Sequence, residues 1–202
     1  MRIAVIGKGN VGSALAPNFA AAGHEVVYGV RDPSDPKYAS DDGVNLCTVA
    51  DAVANADAVL LAVHWGAVSD VLEECGDLSG KILIDCTNAY DFQKNLEPLI
   101  PLEKSAASII AKKTNAVVVK AFNQVGAAAM AEAPSRSPKL VQFVASDDLD
   151  AKAKVLKLAE DAGFDARDAG SLDYARELEG MARLWVAQAF RGMSGNTGWL
   201  LV

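Results

Sequence analysis

The chain has 202 residues, of which 51% are hydrophobic and 22% are charged. A chain of this length can bury roughly 70% of its unfolded surface, so it needs no disulfide or metal to hold a core together. The formal net charge is −7, from 26 acidic and 19 basic residues. No dense basic run interrupts that acidic balance, so we expect no nucleic-acid partner.

The cysteines and histidines exclude two further kinds of site. Three cysteines (Cys47, Cys75 and Cys86) lack Cys-x-x-Cys spacing, which is typical of reduced thiols in a cytoplasmic protein. Only His24 and His64 are present, so we expect no metal centre. The apolar runs are far shorter than the ~20 residues of a membrane span, and the glycine-rich stretch after residue 6 is unlike a secretion signal. We therefore expect a cytoplasmic protein without membrane contacts.

Strand and helix patterns alternate along the chain, with short β-branched runs followed by apolar residues at helical spacing. Strands are expected at Arg2–Ile6, His24–Val30, Val44–Cys47, Ala58–Val63, Ile82–Asp85, Val117–Ala121, Leu140–Ala145 and Phe164–Arg167. Helices are expected at Val11–Ala22, Thr48–Asn55, Ala67–Cys75, Ala106–Lys112, Leu149–Ala162 and Leu172–Phe190. This alternation predicts an α/β fold with a doubly wound, mostly parallel sheet, because parallel strands need crossover helices.

A glycine-rich segment lies between the first predicted strand and the first predicted helix. In such a turn the first glycine allows the tight bend, the second lets the backbone approach a pyrophosphate, and the third lets helix and strand pack closely. The amides at the helix N-terminus add the positive end of a dipole. We therefore expect the cofactor-binding turn of an NAD(P)-binding Rossmann fold, formed by Gly7, Lys8, Gly9, Asn10, Val11 and Gly12.

The sequence contains no internal repeat and no long linker. We expect one Rossmann-type domain over residues 1–202, with a core of about 1–146 and a small C-terminal strand and helix extension of about 147–202. The longest irregular stretch is Asn88–Leu102, and loops of that length are often functional.

The end of the second strand decides which dinucleotide is favoured. An acidic residue there would bind the ribose hydroxyls of NAD, but this sequence has Gly29-Val30-Arg31. Arg31 can stack on adenine and bind a 2′-phosphate, and Lys37 could add a second positive charge. Asp32, one residue late for the ribose role, is close enough to oppose that phosphate, and a surface arginine in a turn is the alternative for Arg31. The sequence favours NADP.

Further candidates follow the later strands, at the edge where ligands bind in open α/β sheets. Val63 ends the fourth strand and His64 follows it, and Asn88 and Asn123 follow the fifth and sixth strands. His64 could contact the nicotinamide ribose or donate a proton, and the two asparagines could fix the carboxamide or a substrate ring. A structural role is the alternative for each. His64 and Asn123 are the catalytic candidates, and Lys120 could instead pair with a carboxylate.

The catalytic inventory is sparse, with no Ser/His/Asp set and no paired-carboxylate site in the sequence. Hydride transfer between two rings mainly requires their alignment at ~3–3.5 Å. An oxidoreductase therefore fits the sequence better than a hydrolase.

The chain resembles the NADP oxidoreductases that depend on coenzyme F420, a 5-deazaflavin. The resemblance rests on Arg2–Gly12, Gly23–Arg31, Ala56–Trp65, Val118–Asn123, Ala145–Asp148, Ala169–Leu172, Ala175-Arg176, Glu179 and Gly192–Gly195. It implies a Rossmann domain with a small C-terminal extension, usually a homodimer. It further implies NADP held by Gly7, Gly9, Asn10, Val11, Gly12 and Arg31, with Val63 and His64 near the nicotinamide.

Three positions depart from the family pattern. Val30 replaces the serine of a Ser-Arg pair, His64 replaces a proline, and Asn123 replaces the histidine of the archaeal enzymes. We expect hydride transfer between NADP(H) and a ring acceptor, either the deazaflavin or a flavin. The alternatives are a reductase of a small carbonyl or imine compound, a class that usually has a larger helical C-terminal domain, and an NADP(H)-binding sensor without catalysis.

Overall fold

A computed structural model of the chain describes residues 1–39 and 42–201. The strands are β1 (Arg2–Ile6), β2 (Glu25–Val30), β3 (Asn45–Thr48), β4 (Ala58–Leu61), β5 (Ile82–Asp85), β6 (Tyr90–Asp91), β7 (Glu97–Pro98), β8 (Val117–Lys120), β9 (Val141–Ala145) and β10 (Asp165–Gly170). The α-helices are α1 (Asn10–Ala21), α2 (Val49–Ala54), α3 (Val68–Cys75), α4 (Ala106–Ile110), α5 (Ala127–Ala131), α6 (Leu149–Asp161) and α7 (Ala175–Ala189).

Among the described residues, eight strands form one sheet in the order β10-β9-β8-β5-β4-β1-β2-β3. The six strands from β8 to β3 in this order are parallel, β9 pairs antiparallel with β8 through Lys120 and Ala145, and β10 is parallel to β9. The predicted doubly wound, mostly parallel α/β fold is therefore confirmed. The strand order reverses between β1 and β4, and a crevice at such a switch point is where ligands bind in this class of sheet.

Both faces of the sheet are covered, as the side-chain alternation of β1 shows. Ile3 and Val5 belong to the apolar cluster that contains residues of α1, whereas Ala4 and Ile6 belong to the cluster that contains residues of α2 and α3. Successive side chains of a strand point to opposite faces. A strand that is apolar on both faces therefore lies in the centre of the protein, and its carboxyl end is held rigidly.

Local differences from the predicted elements have local causes. The helix predicted from Thr48 begins at Val49, because Thr48 is its N-cap and accepts a hydrogen bond from Asp51 N over 3.2 Å. The helix predicted from Leu172 begins as a 3₁₀ turn and becomes α-helical at Ala175. The short alanine-rich helix α5 was not predicted. The long predicted loop contains the two-stranded hairpin of β6 and β7.

Helix α7 lies beside the carboxyl ends of the central strands. The main-chain oxygen of Leu178 accepts a hydrogen bond from the Asn123 side chain, just beyond β8, and helices α4 and α7 pack together. The C-terminal part of the chain therefore borders the expected ligand edge. Among the described residues, no helix combines the length and the apolar character that crossing a membrane requires.

Candidate active site

The turn between β1 and α1 requires glycine at its first and third glycine positions. Gly7 has φ +100°, and a Cβ on Gly7 would lie 2.6 Å from the main-chain oxygen of Ala62. A Cβ on Gly12 would lie 2.0 Å from the main-chain oxygen of Gly7. Both distances are shorter than any normal contact, so the tight turn and the close approach of helix to strand both depend on the missing side chains.

The second glycine position differs, because a Cβ on Gly9 would meet nothing within 4 Å. Gly9 is the N-cap of α1, and the first hydrogen bond of the helix runs from Ser13 N to Gly9 O over 2.9 Å. The amides of Asn10, Val11 and Gly12 therefore have no acceptor within the helix. Open space in front of helix N-terminal amides fits the pyrophosphate of a dinucleotide.

A crevice of about 260 Å³ lies next to this turn. Its lining includes Gly7, Arg31, Asp32, Lys37, Val63 and Glu74. The strand β2 approaches closely because Gly29 lacks a side chain, whose Cβ would lie 2.6 Å from Ile6 Cδ1. The structure thus brings the glycine turn, the end of β2 and the segment after β4 to one cleft.

Two cations stand at the β2 end of the crevice. The Arg31 side chain is 69% exposed, and its Nε lies 3.6 Å from Glu74 Oε1. Lys37 Nζ lies 2.5 Å from Asp35 Oδ2, and this hydrogen bond raises the pKa of Lys37. Asp32, which we expected to oppose a phosphate, accepts hydrogen bonds from Ser34 on Oδ1, and these lower its pKa. Both cations remain accessible to an anionic ligand.

Lys8 is predicted to be part of the cofactor-binding turn, and its side chain lies in a cluster with Asp42 and Tyr28. It is only 7% exposed, and its Nζ lies 3.3 Å from Asp42 Oδ2 and 4.6 Å from the centre of the Tyr28 ring. The Tyr28 hydroxyl donates to the same Asp42 oxygen over 3.2 Å. Burial, and then the charge of Asp42, raise the pKa of Tyr28. In this arrangement Lys8 offers a ligand its main chain rather than its ammonium group.

Val63 and His64 lie beyond β4, which ends at Leu61, two residues earlier than the predicted strand. Val63 lines the crevice, and its Cγ1 would lie 2.9 Å from a Cβ on Gly7. His64 is exposed and makes no side-chain capping bond to the 3₁₀ turn that follows it. Its imidazole is therefore available to a ligand bound at this rim.

Asn88 and Asn123 are brought together, as their positions after neighbouring strands suggested. Asn123 Nδ2 donates to Asn88 Oδ1 and to Leu178 O, both over 3.0 Å, and Asn88 Nδ2 donates to Asn123 O over 3.1 Å. Gln124 Nε2 donates to Asn123 Oδ1 over 2.8 Å. The Asn123 carboxamide therefore has protein partners on both its oxygen and its nitrogen, and the pair joins two rim turns to α7.

Lys120 lies directly behind this pair and is fully buried. Its Nζ lies 2.9 Å from Asp85 Oδ2 and 2.9 Å from Glu179 Oε1, and donates to Thr87 O over 2.5 Å. Burial acts to lower the pKa of Lys120, but the two carboxylates outweigh it and raise that pKa. Burial raises the pKa of Glu179, against the effect of Lys120. Sequence reasoning had named Glu179 only as part of the family resemblance.

These features define a Rossmann-type dinucleotide-binding protein, and comparisons with known proteins give its family. Residues 2–89 match the family described as NADP oxidoreductase, coenzyme F420-dependent. The F420-dependent NADP reductase of Methanothermobacter thermautotrophicus is 35% identical over an alignment 217 positions long. The alignment covers 98% of this chain and 93% of that relative. The crystal structure of a putative F420-dependent NADP reductase from Arthrobacter sp. FB24 is 30% identical, with a TM-score of 0.88, over 100% of this chain and 99% of that one.

A second group of relatives is much longer than this chain. Human metalloreductase STEAP2 is 30% identical over 182 residues, which cover 89% of this chain and 35% of that protein. The chain therefore spans about a third of the length of the metalloreductases that it matches.

The chain belongs to the family of coenzyme F420-dependent NADP oxidoreductases. The family that the sequence resembles, a family of NADP oxidoreductases, is thereby confirmed.

Proposed function

We propose that the protein transfers a hydride between NADP(H) and a ring acceptor of the deazaflavin or flavin type. The observation that carries this proposal is the crevice itself, which is lined by Gly7 of the glycine turn and by the exposed Arg31, while the backbone at Gly9 of the same turn is open. Main-chain amides at a helix N-terminus suit a pyrophosphate, and an arginine at the end of β2 suits a 2′-phosphate. NADPH, when bound, supplies the hydride.

We assign the proposed contacts from the position of each residue. The turn formed by Gly7, Lys8, Gly9, Asn10, Val11 and Gly12 holds the pyrophosphate through its main chain. Arg31 and Lys37 hold the 2′-phosphate. Val63 and His64 bound the nicotinamide side, where the exposed imidazole contacts the acceptor. Asn88 and Asn123 shape the same side as a mutually bonded pair, so we propose that Asn123 acts through position rather than proton transfer.

An aromatic ring and a cation lie close to the Asn88 turn, and we assign them to the acceptor side. Tyr90 is half-buried in β6, and the Arg183 guanidinium carbon lies 5.5 Å from the centre of its ring. Arg183 Nε donates to Leu96 O over 3.2 Å, while the side chain as a whole is exposed. A guanidinium that is held by one nitrogen and stacked on a ring is oriented in advance for an anionic group. This supports a ring acceptor with a phosphorylated or carboxylated side chain.

A small carbonyl or imine substrate is the second candidate, and the exposed His64 favours it. Reduction of such a substrate needs a proton donor, and His64 makes no side-chain bond to the turn that follows it. A rate that depends on a group with a near-neutral pKa, and a dependence that His64→Asn abolishes, would support this candidate. Ring-to-ring transfer is expected to keep most of its rate in His64→Asn.

The organisation of the protein is part of the same proposal. We propose one functional unit and a homodimer. Strands from both the core and the C-terminal part form one sheet. Apolar side chains exposed near the C-terminus offer a dimer surface, namely Leu184, Phe190, Leu200 and Leu201. Free thiols at Cys47, Cys75 and Cys86 support a cytoplasmic location.

The experiment that tests the function follows NADPH absorbance with three additions in parallel: coenzyme F420, riboflavin phosphate, and buffer alone. Oxidation that requires a ring acceptor, and that is weakened in Arg31→Ala, is the expected result. Tight NADPH binding without oxidation by either ring would overturn the ring-transfer proposal and leave the sensor or the small-substrate reductase.

A further inference from the structure

The buried Lys120 belongs to a closed circuit of bonds around the rim. Its ammonium group reaches Thr87 O, and Thr87 is followed in the chain by Asn88, which bonds to Asn123. Asn123 in turn bonds to Leu178 O, and the next residue of α7, Glu179, returns to Lys120. Three separate segments, the turns after β5 and β8 and one turn of α7, are thus fixed to one another.

The charges of this circuit are satisfied within the protein. Asp85 Oδ1 accepts from Thr87 N over 2.8 Å and from Thr87 Oγ1 over 2.7 Å, and Glu179 Oε2 accepts from Ala106 N over 3.0 Å. Two carboxylates around one ammonium leave one net negative charge, which these donors stabilise. A buried polar network whose members are all bonded is rigid, and losing one member is costly.

The backbone beside Lys120 is held in an unusual conformation. Phe122 is fully buried and has φ +57°, a left-handed conformation that a bulky side chain rarely adopts. Such a conformation persists only where its surroundings enforce it. Here it turns the chain so that the side chain of Asn123 meets both Asn88 and α7.

We propose that Lys120 is the positioning residue for the nicotinamide half of the site. It fixes the turns that carry Asn88 and Asn123 against α7, so that the C-terminal helix completes that half. In the sheet order, β5, β4 and β1 separate its strand β8 from β2, at whose end Arg31 lies. The adenine half therefore does not depend on Lys120. This inference rests on the proposed function, because it assumes that NADP(H) lies across the crevice.

An ordinary structural lysine provides a matched control. Lys152 in α6 is also buried, and its Nζ lies 2.9 Å from Asp168 Oδ1 and donates to Gly170 O over 2.9 Å. It pairs with the end of β10, at the far edge of the sheet. Lys152→Met thus removes a similar group, a buried ammonium with one carboxylate and one carbonyl where Lys120 has two carboxylates and one carbonyl, at a strand two places from β8 in the sheet.

The test uses Lys120→Met/Glu179→Gln, which removes one positive and one negative charge and so keeps the net charge of the circuit. Two dissociation constants are measured: that of NADPH, by nicotinamide fluorescence, and that of adenosine 2′,5′-bisphosphate, by calorimetry. We expect NADPH binding to weaken at least about tenfold, because the buried residues that hold the rim turns in place are disturbed. Bisphosphate binding is expected to stay within about twofold, as for distant, independent sites. Lys152→Met should change neither constant.

Thermal unfolding of each variant separates positioning from general loss of structure. Glu179→Gln alone, which keeps Lys120 paired with Asp85, is the milder variant if the double variant does not fold, and the same selective loss of NADPH is expected on a smaller scale. Equal weakening of both ligands, or no weakening of either, would overturn the proposal. Failure of the wild-type protein to bind NADPH would instead overturn the proposed function.

Discussion

The carboxamides of Asn88 and Asn123 bond to each other, with 3.0 Å between Asn123 Nδ2 and Asn88 Oδ1. The residues are 35 positions apart in sequence, and they follow β5 and β8, which are neighbouring parallel strands of the sheet. Either side chain alone would suit a ligand contact. Together they form a cross-link at the rim, whereas the side chain of His64, after β4, is exposed.

Gly9→Ala and Gly12→Ala, both in the glycine turn, should show which glycine is needed for NADPH binding and which for folding. Gly9→Ala places a methyl group in open space at φ −86°, so the free energy of unfolding should change by less than about 0.5 kcal/mol. The same methyl group occupies the approach to the helix amides, and NADPH binding should weaken about tenfold or more. Titration of nicotinamide fluorescence, with urea unfolding in parallel, measures both.

Gly12→Ala is the contrasting variant. Its Cβ would lie 2.0 Å from Gly7 O, so helix and strand must move apart. We expect a loss of about 1–3 kcal/mol in the free energy of unfolding, as for an overpacked core. A stable Gly12→Ala protein, or a Gly9→Ala protein that binds NADPH normally, would contradict this account of the turn.

Arg31 should determine the preference for NADP over NAD. Arg31→Ala removes the most exposed cation of the crevice, so the dissociation constant of NADPH should rise about tenfold, corresponding to ~1.4 kcal/mol. NADH, which lacks the 2′-phosphate, should bind as before. Arg167→Ala, at an exposed arginine of β10, is the control. An equal loss of affinity for both dinucleotides would show that Arg31 does not bind the 2′-phosphate.

Glu74 should weaken NADP binding in the wild-type protein. Its carboxylate lines the crevice and lies 3.6 Å from Arg31 Nε, so it both competes for the guanidinium and repels a phosphate. Glu74→Gln should therefore tighten NADPH binding severalfold, by about 1 kcal/mol or less for partly screened charges. Glu73→Gln, at the adjacent exposed glutamate, should have little effect. Weaker NADPH binding in Glu74→Gln would refute the repulsion.

Asp57 should make the free energy of unfolding depend on pH. It lies just before β4 and bonds to Arg2 at the amino end of β1, away from the ligand edge. Hydrogen bonds from the side chain and the main chain of Arg2 lower its pKa from 3.8 to about 2. A depressed carboxyl pKa stabilises the folded state above pH 3.8, and this contribution is lost as the pH falls toward 2.

Because the Asp57 pair is exposed, solvent screening limits its contribution to about 1 kcal/mol. Asp57→Asn should therefore lower the free energy of unfolding by about that amount at neutral pH and by less in strong salt. Near pH 2 the variant and the wild type should be equally stable in urea unfolding. A difference that persists unchanged in acid would contradict this assignment.

Short-range features of the site were predictable from the sequence, and long-range pairings were not. The glycine turn is specified by residues that are adjacent in the chain, and Arg31 is found by its position after β2. The hydrogen bonds that link the rim turns to α7 join residues that are far apart in the sequence. Ala106 and Glu179, for example, are 73 positions apart, and no local sequence pattern reveals that they pair. Lys8 was predicted only as part of the cofactor-binding turn. The contact of its ammonium group with the ring of Tyr28, 20 positions away in β2, is another long-range pairing that no local pattern reveals.

The measurement that tests the central claim most directly is the oxidation of NADPH by the oxidised form of coenzyme F420, which accepts the hydride, followed by absorbance. We expect NADPH to be consumed with simultaneous loss of the oxidised deazaflavin absorbance, in equal molar amounts. At low NADPH, Gly9→Ala should slow the reaction about tenfold, in line with its weaker NADPH binding. NADPH that binds but stays reduced in the presence of both the deazaflavin and riboflavin phosphate would contradict that claim.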